Sequence, residues 1–227
     1  MTIPSPPPPL HVRILSELRQ HAPFTLFGAM TGILVMMIFR TMSREAAHGV
    51  FYILHPAHVV LSAMVTTALY CRYKPKSRSE PGRKWWKVLL VGYVGSIGVT
   101  TLSDSLIPFW GEVLMEMPHA EVHAGFLERP FLINGMALAG IMIAYVRPWT
   151  KLPHASHVLL STWASLFHVI MAHDHAQPTA YFGIFLFLFL AVWLPCCVSD
   201  IIFPLLFVKD GEQPPGCTCS CHGPSLK

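Results

Sequence analysis

The sequence contains few charged residues. Asp, Glu, Lys and Arg make up 12% of its 227 residues, whereas apolar residues make up 53% and the mean hydropathy is +0.49. Typical soluble domains are about 25% charged. So few charged side chains cannot cover the surface of a water-soluble globule of this length, which excludes both an ordinary cytosolic enzyme and a disordered tail.

Two kinds of local signal are also missing. Residues 1–9 lack the basic segment and apolar core of a secretory signal peptide. We therefore expect the first apolar stretch to be retained as a helix. No glycine pattern of the Walker or Rossmann type occurs, and the loops are too short to hold a soluble domain.

Long apolar stretches are what the sequence has instead. A membrane-spanning helix needs about 20 mostly apolar residues. Six stretches approach or exceed this length, and they lie at 24–40, 50–71, 86–110, 131–147, 155–172 and 179–208. We predict an all-α, polytopic membrane helix bundle of six transmembrane helices over 24–208. An N-terminal arm at 1–23 precedes it and a Cys/His-rich tail at 209–227 follows it.

The basic residues orient this bundle. Outside the spans, thirteen Lys and Arg residues lie on the side of the termini, and only Arg40, Arg44 and Arg129 lie on the other side. Because Lys and Arg concentrate in cytoplasmic loops, we predict that both termini are cytoplasmic. This sorting explains the net charge of +4 without nucleic acid, which we do not expect as a partner.

Histidine is unusually frequent, with 13 residues against 12 acidic ones. On the predicted topology, eight histidines and seven acidic residues lie in the outer loops or at the outer ends of the helices. Most of these carboxylates have no basic partner nearby in sequence. Carboxylates beside neutral imidazoles form a ligand set for a divalent transition metal.

Helical spacing places several of these side chains together. In the second span, His55 and His58 are three residues apart and His48 lies seven before His55, so one helix face presents all three if the helix begins early enough to include His48. Asp104 is an acid inside the third span, where a carboxylate is functional by default. His168 belongs to a polar seam along the fifth span, which also contains His154, His157, Ser161 and Ser165.

The outer loops add further candidate ligands. Glu112, Glu116, His119 and His123 are spaced by four, three and four residues, so a short amphipathic helix here would put all four on one face, although Pro118 interrupts the pattern. His173 begins a His-Asp-His turn after the fifth span. The predicted metal ligands of the bundle and its outer face are His48, His55, His58, Asp104, Glu116, His119, His123, His168 and His173.

The tail contains a second candidate site. Cys217, Cys219, Cys221 and His222 form a soft-metal clamp for Zn²⁺ or Cu⁺, provided that the thiols stay reduced, as they do in the cytosol. Over about six residues this pattern resembles the short Cys/His tails of copper importers.

Three functional hypotheses follow. The first is a divalent transition-metal transporter or permease component, which uses every unusual feature of the sequence. The alternatives are a membrane metalloenzyme, either a zinc hydrolase or a copper or iron oxidase, and a b-type cytochrome with one haem between His168 and His55 or His58. Zinc best suits both the histidines and carboxylates of the bundle and the thiols of the tail, while copper, iron and manganese remain compatible. The expected partners are the lipid bilayer, the metal ion, a cytosolic metal acceptor and other membrane subunits.

Overall fold

The structure, a computed structural model, describes residues 10–39, 41–73, 85–147, 151–173 and 180–197. Within these ranges the chain forms helices and no β-strand, which confirms the all-α prediction. The predicted thiol tail and residues 198–208 of the sixth predicted span lie outside the described residues. In chain order the elements are α1 (Leu10–Ile38), α2 (Arg44–Tyr73), α3 (Trp85–Thr101), a π-helical turn (Leu102–Leu106), α4 (Ile107–Leu114), α5 (Gly125–Glu128), α6 (Pro130–Val146), α7 (Lys151–Met171) and α8 (Ala180–Cys197).

Helix α2 begins several residues before the apolar stretch at 50–71. The Ser43 hydroxyl accepts a hydrogen bond from the Ala46 N–H (3.3 Å), and Glu45 lies in the first turn, near the positive end of the helix dipole. Because the helix starts here, His48 belongs to α2 and lies two turns before His55.

The π-helical turn interrupts what would otherwise be one helix from Trp85 to Leu114. Ser103, Asp104 and Ser105 are consecutive and all buried. Pro108 lacks the N–H that would continue the i to i−5 pattern to the Ser103 carbonyl. The Ser165 hydroxyl of α7 donates to that carbonyl instead (2.8 Å), so this hydrogen bond joins the turn to α7.

The interior of the bundle contains buried polar side chains beside its apolar core, and its outer surface bears large apolar side chains. Helix α2 packs against α3, α6 and α7, and α1 packs against α7 and α8. Between the helices lie buried Ser, Thr, His, Asp and Glu side chains, whereas large apolar side chains such as Phe131 (94% exposed), Phe182 and Met142 point outward. A Cβ at Gly140 would lie 2.4 Å from the Val60 carbonyl oxygen, so α6 and α2 are in backbone contact there.

Two helical stretches, Arg44–Cys71 and Trp85–Leu114, are long and apolar enough to cross a membrane by length and composition. The other apolar helices are shorter, at 10–17 residues: Ala22–Ile38, Pro130–Val146, Ser156–Met171 and Ala180–Pro195. A helix of 17 residues is about 26 Å long, slightly less than the ~30 Å thickness of a bilayer core. The six-span arrangement therefore stays a prediction.

Candidate metal centre

The π-helical turn places Asp104 between α2 and α7, where its carboxylate accepts four hydrogen bonds. His55 Nδ1 and His58 Nδ1 lie 2.9 and 2.7 Å from Oδ2. The hydroxyls of Ser103 and Ser161 donate to Oδ1 at 2.6 and 3.0 Å. The structure thus brings together three of the predicted ligands, and none of these five residues is more than 1% exposed.

These contacts determine how the two imidazoles are oriented. An ionised carboxylate only accepts hydrogen bonds, so Nδ1 of His55 and of His58 must carry the proton. In the neutral ring, Nε2 then has a free lone pair. Histidines that bind metals are commonly held in this way, with a carboxylate on the far nitrogen. Nε2 of His58 is buried and has no hydrogen-bond partner among the described residues.

His168 is held in the same manner by a different carboxylate. Its Nδ1 lies 2.6 Å from Oε1 of Glu112. Its Nε2 accepts a long hydrogen bond (3.4 Å) from the backbone N–H of His123, so Nε2 is the unprotonated nitrogen. Oε2 of Glu112 is buried without a partner in the described part of the chain. The structure therefore places His168 in a second imidazole–carboxylate pair and not at Asp104.

The Phe51 ring separates the two pairs. It stacks on the His55 ring (centroids 5.1 Å, interplanar angle 9°) and contacts the His168 ring edge-on (5.6 Å). A haem bound between these two imidazoles would have to displace Phe51, which is fully buried. The haem hypothesis therefore gains no support from the geometry.

A third group lies nearer the surface, at the start of α2. His48, His123 and Glu128 each offer one ligand atom, and these atoms all lie within 4.8 Å of one another. The Tyr52 hydroxyl donates a hydrogen bond to Oε2 of Glu128. We call His48, His123 and Glu128 the rim group. The first two were predicted ligands, whereas the sequence reasoning did not select Glu128.

His123 links the rim group to the buried pairs. Its ring lies 5.6 Å from the His48 ring and 5.3 Å from the His168 ring. Its backbone carbonyl accepts a hydrogen bond from Ser105 (2.7 Å), which fixes the loop against the π-helical turn. Burial, followed by the nearby His168, lowers the pKa of His123 below its ordinary value, although Glu128 opposes this effect. The ring is therefore neutral at neutral pH.

The segment that follows His123 covers the buried histidines. Gly125 packs so closely on His55 that an added Cβ would lie 2.6 Å from Nε2. The backbone N–H of His123 donates a hydrogen bond to Nε2 of His168. The potential ligand atoms of His55 and His168 are thus both covered by one stretch of chain, residues 123–125.

The predicted amphipathic helix over Glu112–His123 is wrong. Helix α4 ends at Leu114, and Glu116 adopts a left-handed conformation (φ 52°) that closes the helix, with the Met117 N–H bonded to the Glu112 carbonyl (2.9 Å). The four side chains consequently separate. Glu112 is buried and Glu116 is exposed.

Two other predicted ligands, His119 and His173, lie in segments that backbone hydrogen bonds hold side by side at the end of α7. The His119 N–H donates to the Ala172 carbonyl at 3.3 Å, and the N–H of His173 donates to the carbonyl of Ile170 at 3.4 Å. Neither imidazole joins the rim group. Cys217, Cys219, Cys221 and His222 lie outside the described residues.

The buried groups are short of positive charge. Asp104 and Glu112 are fully buried, and neither is paired with Lys or Arg in the described part of the chain. An uncompensated buried carboxylate costs several kcal/mol. Protonated imidazoles or a bound cation would offset that cost, and one divalent cation matches two carboxylates.

Comparison of the chain with protein-family models, with curated proteins and with solved structures finds no match, so the argument for function rests on the residues and their geometry.

Proposed function

We propose that the protein is a polytopic membrane protein that transports a divalent transition metal ion, with zinc as the favoured ion. The observation that carries this proposal is the shared orientation of three buried imidazoles. His55, His58 and His168 each direct Nδ1 to a buried carboxylate, so that in the neutral ring the proton lies on Nδ1 and Nε2 has a free lone pair. Nε2 is then the ligand atom, and the carboxylates orient the ligands and supply the compensating charge.

The membrane arrangement in this proposal has six transmembrane helices and cytoplasmic termini. The buried ionisable side chains and the large apolar side chains on the outer surface support it, because side chains that face lipid are apolar and ionisable side chains face the interior. Each predicted span overlaps a long or a shorter apolar helix, although in the sixth, 179–208, that helix covers only Ala180–Pro195. The excess of Lys and Arg on the side of the termini supports the orientation.

The polar groups form a series from the outer face to the interior. The rim group is followed by the His168–Glu112 pair and then by the His55–Asp104–His58 group. The ring of His157, one turn before Ser161 on α7, lies 5.3 Å from the His58 ring. A series of histidines and carboxylates inside a membrane bundle is typical of an ion pathway, and this observation favours transport over a single catalytic site.

Imidazole nitrogen suits Zn²⁺, Cu²⁺ and Fe²⁺, with Zn–N distances of about 2.0–2.1 Å. The proposed transport direction is from the outer face to the cytoplasm, so the ion leaves the bundle on the side of the predicted Cys/His tail. Three thiols and an imidazole at 217–222 would then bind the ion before a cytosolic acceptor receives it.

Zinc uptake into proteoliposomes tests this proposal. We expect the purified chain to move Zn²⁺ into vesicles loaded with a zinc-sensitive dye, and the His55→Ala/His58→Ala double variant to lose uptake. The matched control, His11→Ala/His21→Ala, removes the same number of imidazoles near the start of α1 and should retain uptake. Equal uptake by the two double variants would overturn the proposal.

The same preparations separate the alternative functions. Tightly held, stoichiometric zinc that never crosses the bilayer would overturn transport and favour a metalloenzyme. A Soret absorption band would favour the cytochrome.

A further inference from the structure

The rim group differs from the buried pairs in its access to water. The side chains of His48, His123 and Glu128 are 37%, 14% and 36% exposed, whereas those of His168 and Glu112 are 0% exposed. The three residues come from α2, from the loop before α5 and from α5 itself. The fold thus brings two imidazoles and one carboxylate together where an ion from outside can reach them.

Neighbouring side chains hold this group in place. The Tyr52 hydroxyl donates to Glu128, and the Tyr52 ring packs against the His48 ring (4.8 Å) and beneath the Arg129 guanidinium (4.6 Å). A carboxylate that is fixed by a hydrogen-bond donor loses less conformational entropy when it binds a ligand.

A second carboxylate lies on the far side of His123. Glu121 is paired with Arg44 (2.7 Å), and its Oε2 lies 4.0 Å from Nε2 of His123. On the near side, Nδ1 of His123 lies 3.2 Å from Oε1 of Glu128. An ionised carboxylate only accepts hydrogen bonds, so in this contact Nδ1 donates to Glu128. For an ion to bind here, the proton must move to Nε2, which faces Glu121, so that Nδ1 and Glu128 can both bind the ion.

We propose that the rim group is a second, solvent-accessible site for a divalent transition metal. His48, His123 and Glu128 supply three protein ligands, and water takes the fourth position. Zinc sites with three protein ligands and one water are open to exchange. Binding at the rim stands on this geometry alone, whereas its role as the capture site ahead of the buried histidines rests on the proposed function.

The connection between the two sites runs through one residue. His123 contributes a ligand atom to the rim group, and its backbone N–H covers Nε2 of His168. An ion held at the rim therefore binds the same loop that closes the buried site.

Metal stoichiometry tests the inference. In a background in which Cys217, Cys219 and Cys221 are replaced by Ser, equilibrium dialysis should give two Zn²⁺ ions per chain. Glu128→Gln should lose one ion. The matched control, Glu45→Gln, alters an exposed carboxylate one turn before His48 and should keep both.

The buried-site variant separates this inference from the proposed function. If His55→Ala/His58→Ala loses one ion and Glu128→Gln loses none, the rim inference is overturned and the buried site stands. If the only bound ion is lost in Glu128→Gln, the rim inference holds and the proposed function fails.

A gain of signal gives a second, independent readout. His48→Cys replaces an imidazole with a thiolate, and Co²⁺ bound at the rim should then show a sulfur-to-cobalt charge-transfer band in the near ultraviolet. Absence of that band in a folded variant would contradict ligation at position 48.

Tyr52→Phe, which removes only the hydrogen bond to Glu128, should weaken zinc binding at the rim site about ten-fold and leave zinc binding at the buried site unchanged.

Discussion

Replacing Asp104 with Asn is the most informative single change in the buried site. Asn keeps the size and planar shape of the side chain but removes its charge. Its oxygen can accept from the two imidazoles while its NH₂ group faces the hydroxyls of Ser103 and Ser161, which can also accept. Asp104→Ala would instead leave the two imidazoles and the Ser161 hydroxyl without this acceptor, whereas the Ser103 hydroxyl also lies 3.4 Å from the Thr100 carbonyl.

The expected loss of folding free energy in Asp104→Asn follows from the two imidazole contacts. A hydrogen bond to a charged group contributes about 1.5–3 kcal/mol and a neutral one about 1 kcal/mol. Neutralising the acceptor of two such bonds therefore costs about 1–4 kcal/mol of folding free energy. Loss of a group that orients metal ligands lowers metal affinity about 10–100-fold, which corresponds to about 1.4–2.8 kcal/mol.

Competition with a chelating indicator measures the zinc affinity, and the Co²⁺ absorption spectrum reports the ligand set. We expect Asp104→Asn to bind Zn²⁺ about 10–100-fold more weakly with an unchanged Co²⁺ spectrum, because Asp104 is not itself a ligand. Unchanged affinity would refute the orienting role. A changed spectrum would show that the carboxylate binds the ion directly.

Three further predictions concern the covering segment and its surroundings. Gly125→Ala places a Cβ against His55 and should strongly reduce zinc uptake, whereas Gly135→Ala on α6, where a Cβ meets no atom within 4 Å, should leave it unchanged in the same vesicle assay. Glu112→Gln should slow zinc uptake about ten-fold in the same vesicle assay, since His168 on the proposed pathway loses its charged acceptor. Glu116→Gly should raise the free energy of unfolding by about 1 kcal/mol, because glycine adopts φ 52° without strain. The zinc stoichiometry should stay unchanged, and a lost ion would show that Glu116 is a ligand.

The sequence was sufficient for the parts of the site that lie on single helices. Spacing along one helix fixes which side chains share a face, and α2 does present His48, His55 and His58, while the α7 seam buries His157, Ser161, Ser165 and His168. An acid in an apolar stretch also identified Asp104. The structure brings it to His55 and His58.

The parts that depend on contacts between distant segments could not be predicted. Glu128 reaches His48 from 80 residues further along the chain, and no local pattern in the sequence signals that approach. The loop was misread because the spacing of Glu112, Glu116, His119 and His123 suits a helix, whereas the chain turns at Glu116. The π-helical turn, which allows three consecutive side chains to face inward, has no signal in a pattern of 3.6 residues per turn.

X-ray absorption at the zinc edge tests whether buried imidazoles bind the transported ion. The sample is the full chain with Cys217, Cys219 and Cys221 replaced by Ser and Glu128 replaced by Gln, so that the tail and rim sites are removed. We expect one bound zinc with nitrogen neighbours at about 2.0–2.1 Å and the outer-shell scattering of imidazole. This zinc should be absent when His55→Ala/His58→Ala is added to the sample. A sample that binds no zinc, or whose zinc spectrum is unchanged by the double substitution, would contradict this expectation.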